Sequence, residues 1–114
     1  MAYSQVLFIK KEYRKIKEIL TPFLEGEVKN YRIYTILGRA LQELGGYEQA
    51  IFYYQKFISH EGVNYRILNS IGECYYALGN IEEALRAWEK SLEINPSQEE
   101  IQEKVQRLKK NKGN

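Results

Sequence analysis

Residues 31–56 read YRIYTILGRALQELGGYEQAIFYYQK, and residues 65–90 read YRILNSIGECYYALGNIEEALRAWEK. Both stretches begin with Tyr-Arg-Ile, and glycines, leucines, alanines and charged residues then recur 34 positions apart. The recurring pairs are Gly38 and Gly72, Leu44-Gly45 and Leu78-Gly79, Glu48 and Glu82, Ala50 and Ala84, and Lys56 and Lys90. A fixed period of this length predicts a stack of helical repeats. Because such modules usually present extended binding surfaces, the pattern favours binding over catalysis.

Each copy carries the pattern of two helices joined by a glycine turn. In the first copy, apolar residues from Ile33 onward recur every three or four positions, which is one face of a helix. Asn30 is placed to cap this helix, and Gly45 supplies the backbone freedom for a tight turn. Asn64 and Gly79 hold the equivalent places in the second copy. Helices joined by so short a turn lie antiparallel, so the sequence predicts antiparallel helix pairs.

Two glycines inside predicted helices need a steric reason. Gly38 and Gly72 fall in mid-helix, where glycine costs about 1 kcal/mol relative to alanine. That cost is tolerable where a neighbouring helix must approach closely. The large residues Tyr54 and Trp88 are expected to fill the space between helix pairs.

The flanking segments are less regular. Residues 97–110 carry one apolar stripe on a charged helix, which predicts a C-terminal capping helix followed by a frayed tail over 111–114. Residues 1–30 are interpreted as a degenerate N-terminal repeat with a truncated first helix. Its second helix is expected over residues 13–24, kinked or shortened by Pro22, and only a stub of its first helix, about Ala2 to Ile9, remains.

The recurring residues resemble those of the tetratricopeptide repeat (TPR) family. Counted from Tyr65, the residues that match its pattern are Leu68, Ile71, Gly72, Tyr75, Ala84, Trp88, Ser91 and Pro96. The copy that starts at Tyr31 matches less closely, because Phe57 and Gly62 depart from the pattern. The resemblance implies an all-α fold of antiparallel helix pairs, stacked as a right-handed α-solenoid of about seven helices. The repeats would cover residues 31–64 and 65–98.

In this family the first helix of each pair lines a concave groove, so the resemblance implies a binding groove here. The polar positions between the apolar stripes lie away from the core. They are Arg32, Thr35, Arg39 and Gln42 in the first copy, and Arg66, Asn69, Glu73 and Tyr76 in the second. Arginine offers a planar fork for carboxylates, so an acidic or C-terminal peptide is the expected ligand. The alternative is that Arg39 pairs with Glu73, which holds the equivalent position in the next repeat.

The residues give little support to catalysis or to bound cofactors. His60 is the only histidine, and Cys74, the only cysteine, lies on a predicted buried stripe, so no catalytic residue is assigned. Structural zinc sites need several such ligands, and no glycine-rich phosphate loop is present, so no metal or cofactor is predicted. A near-balance of 17 basic and 15 acidic residues argues against nucleic acid as an obligatory partner. No apolar run is long enough for membrane insertion.

A second candidate surface lies at the N-terminus. Tyr3, Leu7 and Phe8 belong to a dense apolar cluster on an incomplete repeat, and exposed clusters of this kind are often interfaces. Three uses fit this cluster: self-association, for example as a homodimer, packing against an upstream segment, and binding of another partner.

The sequence thus favours a non-enzymatic interaction module that binds a peptide or a partner helix in its groove. The alternatives are a self-associating assembly module and a regulatory TPR segment of a larger protein. One cysteine and the lack of a secretory pattern favour a cytoplasmic location, and the alternative is a processed, exported segment.

Overall fold

The computed structural model describes residues 2–26 and 28–112, with the side chains of residues 10–26 and 28–111. Six α-helices, one 3-10 helix and no strand occur within these residues. The chain divides into two compact units, Met1–Gly62 and Val63–Asn114. The cut falls between the two copies of the repeat, so each unit contains one helix pair.

The first unit contains three α-helices. They are α1 (Ala2–Leu20), α2 (Arg32–Glu43) and α3 (Tyr47–Glu61), and the 3-10 helix Thr21–Leu24 comes directly after α1. Helix α2 packs on both α1 and α3. The buried apolar residues of the α2–α3 pair are Tyr34, Leu37, Ala40, Leu41, Ala50, Ile51 and Tyr54.

The second unit also contains three α-helices. They are α4 (Tyr65–Ala77), α5 (Ile81–Ile94) and α6 (Glu99–Lys112). Helix α5 packs on both α4 and α6. A core cluster joins Ala84, Leu85 and Trp88 of α5 to Ile101 and Val105 of α6. The charged helix α6 therefore covers one side of the second pair with its apolar stripe.

Local hydrogen bonds explain where the pairs begin and turn. The Asn64 side chain accepts hydrogen bonds from the backbone N–H groups of Arg66 and Ile67, which caps α4 as predicted. At the other end, Gly79 has φ +83°, and the next N–H donates to the Tyr75 carbonyl at 2.9 Å. This left-handed conformation closes the helix end and favours glycine. Gly45 plays the same part after α2, with φ +87°.

The helix glycines allow close packing inside each pair. A Cβ atom built on Gly38 would lie 2.7 Å from Cε1 of Tyr54, and one built on Gly72 would lie 2.6 Å from Cδ1 of Trp88. Each large ring therefore lies over the glycine of its own partner helix. Trp88 also packs on Ile101 and Val105 of α6. That these rings fill the space between helix pairs stays a prediction.

The N-terminal segment differs from its prediction. The expected stub and the expected separate helix over 13–24 form one continuous helix, α1, which runs from Ala2 to Leu20. No residue in the stretch Lys10-Lys11-Glu12 opposes a helix, which is why the two pieces are continuous. Pro22 cannot donate a backbone hydrogen bond, and the chain tightens there into the 3-10 helix. The origin of residues 1–30 in a degenerate repeat stays a prediction.

The C-terminal helix begins and ends later than predicted. Helix α6 spans Glu99–Lys112 rather than residues 97–110. Residues 111 and 112 were expected to fray, but they continue the helix, while residues 113 and 114 lie outside the described range.

Candidate functional site

Two of the four residues predicted on α2 are exposed and charged. Arg39 pairs with Glu43 one turn further along the same helix, with Nε 2.9 Å from Oε1. Partial burial acts to lower the pKa of Arg39, but the attraction of Glu43 outweighs it and raises the pKa above its usual value. Exposed pairs of this kind contribute little stability, so the guanidinium can exchange this carboxylate for another. The interpretation that Arg39 pairs with Glu73 stays a prediction.

The other two residues predicted on α2 are half-buried and hydrogen-bonded within the first unit. Gln42 Oε1 accepts a hydrogen bond of 2.8 Å from the hydroxyl of the buried Tyr54. Thr35 Oγ1 donates to the Arg32 carbonyl at 2.8 Å. Gln42 therefore has a structural role in holding the α2–α3 pair, in addition to any role in binding.

On α4, Glu73 and Tyr76 line a pocket of about 230 Å³, here called the aromatic pocket. Trp88 of α5 and Lys104, Arg107 and Leu108 of α6 complete its lining. Tyr76 is half-exposed, and its ring centroid lies 6.0 Å from that of Trp88. The pocket thus combines two aromatic rings with groups of both charge signs.

The cations of the aromatic pocket differ in their surroundings. Lys104 Nζ lies 5.4 Å from the Trp88 ring centroid, within the range of a cation–π contact. Lys104 also pairs with Glu100 at 3.6 Å. Arg107 forms no ion pair with any residue that the structure describes. Arg107 is therefore the cation that is most available to a carboxylate from outside.

Asn69 belongs to a partly buried polar network between α4, α5 and the segment that leads into α6. Its Nδ2 donates to Gln98 Oε1 at 2.8 Å, and its backbone carbonyl accepts a bond of 3.2 Å from Trp88 Nε1. Its Oδ1 is buried and accepts no hydrogen bond from the described residues. Asn69 thus serves the packing of α6, a role that the polar pattern alone did not indicate.

Arg66 lies apart from the aromatic pocket. Its Nε donates to the Tyr65 hydroxyl at 3.3 Å, and this hydrogen bond lowers the pKa of Tyr65. Arg66 lines a separate pocket, together with Val63, Asn64, Tyr65 and Ile94. Ten residues of helix separate Arg66 from Tyr76, about 15 Å along the axis. The residues predicted on α4 therefore lie in three places: Arg66 at this pocket, Asn69 in the polar network, and Glu73 and Tyr76 at the aromatic pocket.

The sequence interpretation missed a larger pocket in the first unit. This N-terminal pocket has a volume of about 690 Å³ and is lined by Leu20, Phe23, Val28, Lys29, Asn30, Arg32, Ile33 and Ile36. Of these, only Arg32 was predicted as a site residue. Ile36 was a usable signal, because it is apolar among the polar positions of α2, where the equivalent residue of the second copy is Ser70.

The remaining candidates offer no catalytic arrangement in the described part of the chain. Burial, and then the charge of Glu73, raise the pKa of the Cys74 thiol to about 12. The His60 ring stacks face to face on Tyr31, with 4.2 Å between the centroids. No cluster of three or more histidine, cysteine, aspartate or glutamate residues suited to a metal occurs among the residues described.

Two further predictions concern surfaces rather than chemistry. The side chains of Tyr3, Leu7 and Phe8 lie outside the described residues, so the proposed self-association face stays a prediction. None of the helices in the described part of the chain has both the length and the apolar character needed to cross a membrane.

Comparison with family models identifies the class of protein. Residues 65–98 match a model described as a tetratricopeptide repeat, and residues 31–59 match a second model with the same description. Together the matches cover more than half of the chain. The chain belongs to the tetratricopeptide repeat family, as its repeated residues predicted.

Solved structures agree with this assignment. MamA is 24% identical over 96% of this chain and 68% of its own, with a TM-score of 0.77. PcrH in complex with the chaperone binding region of PopD is 17% identical over 97% of this chain and 93% of its own, also with a TM-score of 0.77. PcrH from Pseudomonas aeruginosa has a TM-score of 0.66 at 19% identity, over 93% of this chain and 82% of its own. No curated protein matches the sequence significantly. The predicted all-α fold of helix-pair repeats is confirmed.

Proposed function

We propose that this protein is a non-catalytic adaptor that binds a peptide segment of another protein. Its family consists largely of interaction modules, and one similar structure holds PcrH in complex with the chaperone binding region of PopD. Each unit offers a binding face on the first helix of its helix pair. The faces comprise Arg32, Thr35, Arg39 and Gln42 on α2, and Arg66, Asn69, Glu73 and Tyr76 on α4.

The aromatic pocket is the observation that carries the proposal. Its volume of about 230 Å³ is smaller than a typical small-molecule site of roughly 300–1,000 Å³, so it suits one side chain of a longer ligand. Tyr76 is half-exposed and offers apolar ring surface beside the buried Trp88, while Arg107 offers a planar fork to a carboxylate. We expect the peptide to place an apolar or aromatic side chain in the pocket and an acidic group beside Arg107.

The chemistry of the chain supports a non-catalytic role. A cysteine nucleophile reacts as its thiolate, and a thiol whose pKa is raised to about 12 stays protonated at neutral pH. Cys74 is also fully buried.

Peptides selected from a random display library for binding to the 114-residue chain would test the pocket. Tyr76→Ala should weaken binding of the selected peptides about tenfold or more, because a central aromatic contact is lost. Phe52→Ala is the matched control, since Phe52 on α3 is 52% exposed and Tyr76 is 51% exposed. Equal affinity for the wild type and Tyr76→Ala would refute the pocket assignment. A library that yields no binder would refute the adaptor itself.

The predicted arginines need a separate test with the same peptides. Arg39→Glu combined with Arg66→Glu should abolish binding if both faces receive acidic groups, while helicity is retained. Arg86→Glu is the control for the lost ion pair, because Arg86 pairs with Glu83 at the same 2.9 Å distance as Arg39 with Glu43. If the double reversal leaves affinity unchanged, these arginines are not part of the binding faces.

A further inference from the structure

The N-terminal pocket has exposed apolar side chains in its lining. Two of its lining residues stand out, because Phe23 is 64% exposed and Ile36 is 46% exposed. Ile19 of α1 adds a further exposed apolar side chain one turn before Phe23. Exposed apolar side chains that line one pocket, as Phe23 and Ile36 do, are unfavourable in water and typically mark an interaction site.

The repeat itself shows that Ile36 is not needed to pack a helix pair. The equivalent position in α4 holds Ser70, which is half-buried and donates to the Arg66 carbonyl at 3.4 Å. The α4–α5 pair therefore packs with a serine where the α2–α3 pair has an isoleucine. The apolar side chain at position 36 adds surface to the pocket rather than stability to the pair.

The positive charge at the pocket favours a ligand with acidic groups. Lys29 and Arg32 are both exposed, line the pocket, and form no ion pair with the described residues. Among the residues that the structure describes, none of those that line the pocket is acidic. The first unit also carries nine basic and seven acidic residues, against eight of each in the second unit, so the net charge of +2 comes from the first.

We propose that the N-terminal pocket is a second docking site, which takes an acidic amphipathic segment of a partner protein. Apolar side chains on one face of that segment enter between Phe23 and Ile36. Aspartate or glutamate side chains beside them pair with Arg32, whose fork suits carboxylates, and with Lys29. The volume of about 690 Å³ is within the range of specific binding pockets and admits more than one side chain. This site lies in the first unit and does not depend on the aromatic pocket.

A display library of amphipathic peptides of about 16 residues, selected for binding to the 114-residue chain, would test this assignment. Apolar residues would be spaced along one helical face, with all other positions randomised. Each selected peptide would be measured against Ile36→Ser, which copies the second repeat. The matched control is Ile94→Ser, because Ile94 is 48% exposed on α5. We expect one class of peptides to bind Ile36→Ser about tenfold more weakly, to bind Ile94→Ser normally, and to be rich in acidic residues.

Charge and surface variants complete the experiment. Lys29→Glu combined with Arg32→Glu should weaken the same peptides, whereas Lys90→Glu, an exposed lysine on α5, should not. A second comparison changes Phe23 instead of Ile36: Phe23→Ser should weaken the same peptides, whereas the control Phe52→Ser should not. Circular dichroism checks that each variant is folded. Tyr76→Ala should leave this class of peptides unaffected, so failure of the aromatic pocket and failure of this site are distinguishable.

Three results would overturn the proposal. The first is that every selected peptide binds Ile36→Ser and the wild type equally. The second is that the Ile36-dependent peptides carry no excess of acidic residues. The third is a dimer of the wild type in sedimentation that Ile36→Ser converts to a monomer, which would assign the patch to a second copy of the chain.

Discussion

The two helix pairs share their internal packing but differ in the elements that come after them along the chain. In both pairs a mid-helix glycine receives a large ring, Tyr54 over Gly38 and Trp88 over Gly72. After the second pair, α6 packs on α5 and extends the core. The repeat therefore determines the contacts inside a helix pair, while the elements next to the pair determine which part of its surface is covered.

Ser91 and Phe57 show how one position produces that difference. Ser91 is fully buried, donates to the Tyr65 carbonyl at 3.2 Å, and accepts from Gln98 Nε2 at 3.0 Å. This links α4, α5 and the segment that leads into α6. Phe57 holds the equivalent position on α3, is only half-buried, and has no hydroxyl to make such bonds. The sequence departure at Phe57 thus marks where the two pairs diverge.

The largest expected effect comes from emptying the ring positions. Trp88→Ala should lower the free energy of unfolding by about 3–5 kcal/mol, because it leaves a cavity in the core shared with α6. Tyr54→Ala should cost less, since the phenol ring is smaller. Urea unfolding followed by circular dichroism measures both. A larger loss for Tyr54→Ala would contradict the view that ring size and the contacts with α6 set the cost.

Filling the glycine positions should give the next largest effect. Gly72→Ala places a methyl group against the indole, which its hydrogen bond to Asn69 holds in place, so we expect a net loss of about 2 kcal/mol after the gain in helix propensity. Gly38→Ala should lose about 1 kcal/mol, because the phenol ring is smaller. Fluorescence of Trp88, the only tryptophan, reports the second unit. An unchanged or raised stability of Gly72→Ala would show that the indole moves aside freely.

Cys74 should make the second pair sensitive to high pH. Burial raises the pKa of its thiol from 9.0 to about 12 in the folded chain. The stabilising contribution is complete below pH 9 and is lost as the pH rises toward 12, because only the unfolded chain releases the thiol proton in that range. At pH 10 we expect a loss of about 1 kcal/mol.

Cys74→Ala tests this dependence and copies Ala40, the equivalent residue of the first pair. Tyrosine and lysine residues titrate in both proteins, so the difference between the two unfolding curves at pH 8 and pH 10 isolates the thiol. Parallel losses of stability in the variant and the wild type would show that the thiol does not contribute.

The smallest effect should come from the helix caps. Asn64→Ala should cost about 1 kcal/mol, because Asn64 Oδ1 accepts from two backbone N–H groups, at 2.8 and 3.4 Å. Asn30 Oδ1 accepts from one, at 3.1 Å, so Asn30→Ala should cost roughly half as much. Thermal unfolding of the two variants decides the order, and equal costs would show that the second acceptor contact adds nothing.

Local signals made most of the fold predictable. The caps at Asn30 and Asn64 and the turns at Gly45 and Gly79 depend on residues within a few positions of each other. The end of α1 was less predictable, because Pro22 permits either a kinked helix or a 3-10 turn. The candidate site was predictable only in part. Periodicity identified Arg66, Glu73 and Tyr76 as exposed positions on α4, but it did not show that Asn69 is half-buried. It also did not bring Trp88 and Arg107 beside Tyr76.

The sequence by itself determined the repeat period, the helix pairs and membership of the TPR family, because these depend on helical spacing, capping and the conformational freedom of glycine. Only the tertiary structure decided which partners the residues between the apolar stripes contact. Asn69 bonds to the segment before α6, Gln42 holds Tyr54, and Ile36 opens onto the N-terminal pocket. The partner of a side chain comes from another helix, and a pattern along one helix contains no information about which helix that is.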